Sequence, residues 1–167
     1  MSKFTSNEAA LAKSVSEKTP LINIEQASDG FSKVMLTSPT KLPNATGYLW
    51  NSAMVMQVNC RGYVNSLFMQ PEPAKYSYAP NMEVKSFIQP EHSYFSHHPG
   101  RFFYLKDEDS GEIISLPYEP MRIELDKFSF ELGNSDITWS IEHKGLKVTI
   151  KVNLTKDDLV ECWFVSI

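Results

Sequence analysis

Glycine is scarce in this chain, with seven residues in 167, each isolated from the others. No glycine-rich loop is therefore present to cradle a phosphate, and each glycine reads as a turn or a close approach. Cysteine is scarcer still. Cys60 and Cys162 lie far apart and form no CxxC, which removes a disulfide framework and the common zinc spacings. Their spacing alone does not decide between a disulfide and two thiols, but the chain shows no secretion signal, so two free thiols in a cytoplasmic protein are expected. Arginine is limited to Arg61, Arg101 and Arg122, and the formal net charge is -4. Such a balance offers no electrostatic attraction for nucleic acid or an anionic membrane. No stretch approaches the roughly 18 apolar residues of a membrane helix. The opening residues lack both the apolar run and the small-residue site of a signal peptide. No G-x-S-x-G nucleophile elbow occurs either.

What is present suits one soluble globular domain. Hydrophobic residues make up 42% of the chain, enough to fill a core. Residues 1–20 are polar and read as a flexible tail; residues 21–167 read as the folded domain. Two short β-prone runs, Leu21 to Ala27 and Phe31 to Leu36, flank Ser28-Asp29-Gly30, a hairpin signal. The run from Tyr48 to Asn59 reads as one bent strand or two, Asn59 to Gly62 as a turn, and Tyr63 to Met69 as another strand. Later the alternation is strict. Phe128, Phe130 and Leu132, then Ile137, Trp139 and Ile141, then Leu146, Val148, Ile150, Val152 and Leu154 alternate with polar residues such as Lys147, Thr149 and Lys151. Period two with one polar face means half-buried strands, and short joints make neighbours antiparallel. The fold class is all-β, an antiparallel β-sandwich. Trp50, Trp139 and Trp163 fall in strand patterns and are expected in its core. Leu159 to Ile167 reads as a strand with no polar tail after it, which points to a piece of something longer.

Candidate chemistry is sparse. His92, His97 and His98 with Glu91 match no zinc spacing, and adjacent His97 and His98 would face opposite ways in a strand, so no metal or other cofactor is expected. Asp107, Glu108 and Asp109 could be imagined as the paired carboxylates of glycosidic chemistry, but adjacent acids on a turn are ordinarily solvated. The segment from Gln70 to Arg101 is the best functional candidate. Five prolines keep it out of a sheet interior (Pro71, Pro73, Pro80, Pro90 and Pro99). Its rings suit either sugar binding or an interface, with Tyr76, Tyr78, Tyr94, His97, His98 and Arg101 as the residues to watch. The plainer reading is that the rings pin a long loop to its own sandwich. A short strand is expected around Val84 to Ile88.

Pro99 to Pro117 organises the chain. Phe102 to Lys106 is an aromatic run, Asp107 to Gly111 a polar turn, and Ile113 to Leu116 the returning strand of a hairpin. The motif PGRFFYLKDEDSGE resembles the proline-glycine, aromatic strand and acidic turn near the start of glycoside hydrolase family 94. That family, formerly glycosyltransferase family 36, holds the cellobiose and chitobiose phosphorylases. Other pieces follow in the same order: Gly47-Tyr48-Leu49-Trp50-Asn51, Tyr118-Glu119-Pro120-Met121-Arg122, Gly145-Leu146, and Val160-Glu161-Cys162-Trp163.

The resemblance covers about Gly47 to the C-terminus. It implies the N-terminal supersandwich of such an enzyme, galactose-mutarotase-like and here incomplete, followed by a helical linker and an (α/α)6 barrel. The whole protein would then cleave β-linked gluco-oligosaccharides with inorganic phosphate and inversion, often as a homodimer. The family's general acid and phosphate ligands lie in the barrel and match no position here, so no catalytic residue is expected in this chain. A stand-alone carbohydrate-binding β-sandwich is the alternative.

Overall fold

A computed structural model describes residues 20–26, 30–68 and 100–167. The expected tail, the strand around Val84 to Ile88, and Tyr76, Tyr78, Tyr94, His97 and His98 lie outside the described residues. Those described form eleven strands and no helix. Their alternating side chains are the cause, since one apolar face per strand must be buried against another sheet.

The larger sheet has six antiparallel strands in the order β1-β2-β8-β9-β10-β11. These are β1 (Ile22–Gln26), β2 (Ser32–Leu36), β8 (Lys127–Leu132), β9 (Asp136–His143), β10 (Leu146–Leu154) and β11 (Glu161–Ser166). The smaller sheet is the meander β3 (Thr46–Trp50), β4 (Met54–Asn59) and β5 (Val64–Phe68). A hairpin, β6 (Phe103–Lys106) and β7 (Ile113–Leu116), pairs with neither sheet, but its Ile114 and Leu116 are buried in the same core. The expected hairpins are all there. The Tyr48–Asn59 run is two strands, because the Asn51 Oδ1 accepts from the amides of Ala53 and Met54, both at 2.8 Å, and turns the chain. After β2 the chain leaves the large sheet and comes back at β8, where Leu36 pairs with Phe130. Short-range patterning cannot foresee that crossing.

The core lies between the sheets. Phe130, Ile137, Trp139, Ile141, Val148, Ile150 and Val152 are buried from one side, and Leu49, Met56, Val58 and Val64 from the other. Lys147, Thr149 and Lys151 are exposed on the opposite face, as the alternation requires. Gly47 sits against the large sheet. A Cβ there would stand 2.4 Å from Leu132 Cδ2 and 2.9 Å from Ile137 Cδ1, so the lack of a side chain sets the separation.

The tryptophans divide. Trp139 is fully buried and its Nε1–H donates to Cys60 O at 2.8 Å. Trp163 is half-buried and stacks on Trp139 at 6.0 Å. Trp50, expected in the core, is 71% exposed. The reason is register: Gly47 and Leu49 face the large sheet, so Tyr48 and Trp50 must face away. Leu159 and Val160 are likewise exposed, in the turn ahead of β11 rather than in the strand.

Candidate functional site

The polar groups worth attention gather around the β4–β5 turn. Asn59, Cys60, Arg61 and Gly62 are all buried. A buried turn must satisfy its backbone internally. Here Asn59 Nδ2 donates to Pro43 O at 2.9 Å and Ala45 O at 3.2 Å, Cys60 N donates to Ala45 O at 2.9 Å, and Arg61 N donates to Asn59 Oδ1 at 2.9 Å. Gly62 takes φ +103°, and a Cβ there would meet Pro117 at 2.7 Å. Both conditions call for glycine. Burial pushes the Cys60 thiol up to about 12, so it is a poor nucleophile. Both cysteines are free.

Glu119 has no exposed surface and lies between two arginines. Arg61 Nη2 donates to its Oε1, and Arg122 Nε donates to Oε1 at 3.0 Å and Oε2 at 2.9 Å. Arg61 also lies over the Tyr63 ring, 5.6 Å from its centroid. Burial and the Glu119 charge push the Tyr63 phenol up to about 12. The Glu119 hydrogen bond raises Arg122 above its ordinary value.

A second carboxylate holds the far side of this turn. Gly100 bridges Tyr63, and Arg101 N donates to Gly62 O at 3.2 Å. The Arg101 guanidinium then reaches β11, with Nε 3.1 Å from Glu161 Oε2 and Nη2 2.9 Å from Oε1. Glu161 also accepts from Ser66 Oγ at 2.5 Å and Trp163 Nε1 at 2.9 Å. Burial would raise its carboxyl, but Ser66, Trp163 and Arg101 together hold it below the usual range.

Arg101 is thus the one candidate site residue among those described, and its charge is met by Glu161 while its side chain stays 44% exposed. Asp107, Glu108 and Asp109 are exposed on the β6–β7 tip, where Asp107 accepts from Ser110 Oγ at 2.5 Å and Asp109 N at 3.0 Å. Among the described residues no group of three or more His, Cys, Asp or Glu is placed to hold a metal ion, and no helix is long and apolar enough to cross a membrane. Sequence reasoning passed over Glu119 and Glu161 as working residues. The available signal was the i, i+3 pair Glu119 and Arg122, set among Pro117 and Pro120.

Glu119 and Glu161 are each saturated by donors, so neither is placed to give a proton to a leaving group. Two facing antiparallel sheets around one core define an antiparallel β-sandwich. The chain belongs to the glycosyl hydrolase 94 supersandwich-domain family, whose model matches residues 73–167. It is 48% identical over 132 residues to the cellobionic acid phosphorylase of Neurospora crassa. That match covers 79% of this chain and 17% of the Neurospora protein, so the chain spans well under a fifth of that relative's length.

Proposed function

We propose that this chain is the non-catalytic supersandwich region of an inverting glycoside phosphorylase acting on a β-linked glucosyl substrate, with cellobionic acid the first to try. The observation that carries the reading is the 48% identity to a cellobionic acid phosphorylase over most of this chain. In such a reaction the bond from the anomeric carbon to the glycosidic oxygen breaks and one to a phosphate oxygen forms. The leaving oxygen takes a proton from a general acid. The saturated carboxylates described above support placing that acid, and the phosphate ligands, in another part of the protein, an (α/α)6 barrel downstream. Free thiols and the use of inorganic phosphate fit a cytoplasmic setting.

The test is the full-length protein incubated with inorganic phosphate and either cellobionic acid or cellobiose, reading glucose 1-phosphate. Release from cellobionic acid supports the reading in full, and release from cellobiose alone moves the substrate. No release from any β-linked glucoside overturns it.

In the same reading the aromatic, proline-rich stretch from Gln70 to Arg101 meets the barrel or a second subunit of a homodimer. Aromatic-rich sequence of this kind is found at interface centres. Tyr76→Ser, Tyr78→Ser and Tyr94→Ser are expected to weaken association in sedimentation of the full-length protein while its melting temperature holds. Loss of melting temperature with unchanged association would overturn the interface.

A further inference from the structure

The β6–β7 hairpin pairs with neither sheet, so side chains must hold its outer end. Ile114 and Leu116 anchor the inner half in the core. At the outer end Glu112, just ahead of β7, meets the β9–β10 turn. Its Oε2 accepts from Lys144 Nζ at 2.7 Å, and its Oε1 lies 3.7 Å from His143 Nε2. A cavity of about 430 Å³ lies between hairpin and turn, with Leu105, Glu112, Ile114, His143, Lys144 and Leu146 in its wall.

His143 is placed to respond to a proton. Its side chain is 13% exposed, and its Nδ1 lies 3.1 Å from Glu124 O. A carbonyl can only accept, so Nδ1 carries a proton in both charge states of the ring. In the neutral ring Nε2 is then a bare lone pair. It is buried without a hydrogen-bond partner, and the group it faces is a carboxylate oxygen. Protonation makes Nε2 a donor and gives the ring the charge opposite to that of Glu112. A slight approach of the hairpin then completes a charge-assisted hydrogen bond.

The charges packed around the ring carry both signs. Lys144 is committed to Glu112, and its amide donates to Asp126 Oδ2 at 2.6 Å. Lys106 of β6 pairs with Glu108, and Asp107 lines the same cavity. Glu142, beside His143 on β9, is met by Lys127 and Lys147. The Glu124 side chain is exposed. Nε2 itself faces Glu112.

We propose that His143 and Glu112 form a proton-operated latch, which fastens the β6–β7 hairpin to the β9–β10 turn when His143 is protonated and loosens it when the ring is neutral. Lys144 holds Glu112 in both states, so the latch grades the hold and does not release the hairpin outright. Imidazole ordinarily changes charge between about pH 5 and about pH 8. The added bond belongs to the protonated ring, so it is complete on the acid side of that window and lost on the alkaline side. The hairpin, and the cavity beneath it, are therefore tighter in acid. The inference rests on these contacts and not on the phosphorylase reading.

The experiment is hydrogen exchange of the full-length protein, read by mass spectrometry at about pH 5.5 and about pH 8, with rates corrected for the intrinsic effect of pH. Amides of β6 and β7 report local opening of the hairpin, and those of β10 serve as reference. In the wild type the hairpin should be protected several-fold more at the lower pH, with β10 unchanged. His143→Asn keeps a donor for Glu124 O but cannot take up a charge, and Glu112→Gln removes the counter-charge. Each should flatten the pH dependence of the hairpin while β10 holds. Equal wild-type protection at the two pH values overturns the proposal, as does a pH dependence that survives in either variant. Loss of β10 protection in one variant marks misfolding, and the other variant then decides.

Discussion

Glu119 sits without exposed surface between the guanidinium groups of Arg61 and Arg122. A buried ion pair adds little net stability, yet removing one partner leaves a buried charge without its counter-charge. Glu119→Ala should cost about 3–5 kcal/mol, read as a lower urea midpoint at unchanged slope. A loss below about 1 kcal/mol would mean that water takes over the carboxylate's role. Glu161 carries a pH signature. Its folded-state pKa lies below the ordinary value, so the native state stays ionised where the unfolded chain has begun to take up protons. Its contribution is complete above the usual carboxylate range and is lost as pH falls through the lowered folded value. Melting temperature should fall more steeply from about pH 6 to about pH 3 in the wild type than in Glu161→Gln. Equal slopes would show that the bonds to Ser66, Trp163 and Arg101 do not favour the charged form.

At the scale of the strand, facing was readable where polar and apolar residues alternate. In β10, Val148, Ile150 and Val152 are buried and Lys147, Thr149 and Lys151 exposed. Ile150→Ala should cost about 2–5 kcal/mol and Lys147→Ala no more than about 0.5 kcal/mol, measured by chemical denaturation. Similar losses in the two variants would contradict the facing. In β3 the pattern fails, because Gly47-Tyr48-Leu49-Trp50 offers bulky apolar groups to both sides. The decision falls to Gly47, the one residue small enough for the approach of Leu132 and Ile137. That choice turns Trp50 outward.

For the whole molecule, the two sheets close over one core while the charged groups lock its rim. A scaffold of this kind predicts that the 167-residue chain alone releases no glucose 1-phosphate from β-linked glucosides and phosphate. Turnover that persists through purification, and disappears when a residue of this chain is changed, would place the general acid here after all.

The all-β class, the hairpins and the facing of β8, β9 and β10 followed from the sequence alone, because period-two alternation and turn residues act over a few neighbouring positions. The family was legible too, through the acidic hairpin and the Tyr118 to Arg122 motif. The pairing of β2 with β8, the burial of the Asn59–Gly62 turn and the meetings of Glu119 with Arg61 and Glu161 with Arg101 were not. The strand pairing and the two ion pairs join residues 58 to 98 positions apart. No local pattern encodes such a meeting; it arises only when both sheets pack and the polar groups caught between them must find partners. The same packing decided that Trp50 lies in water rather than in the core.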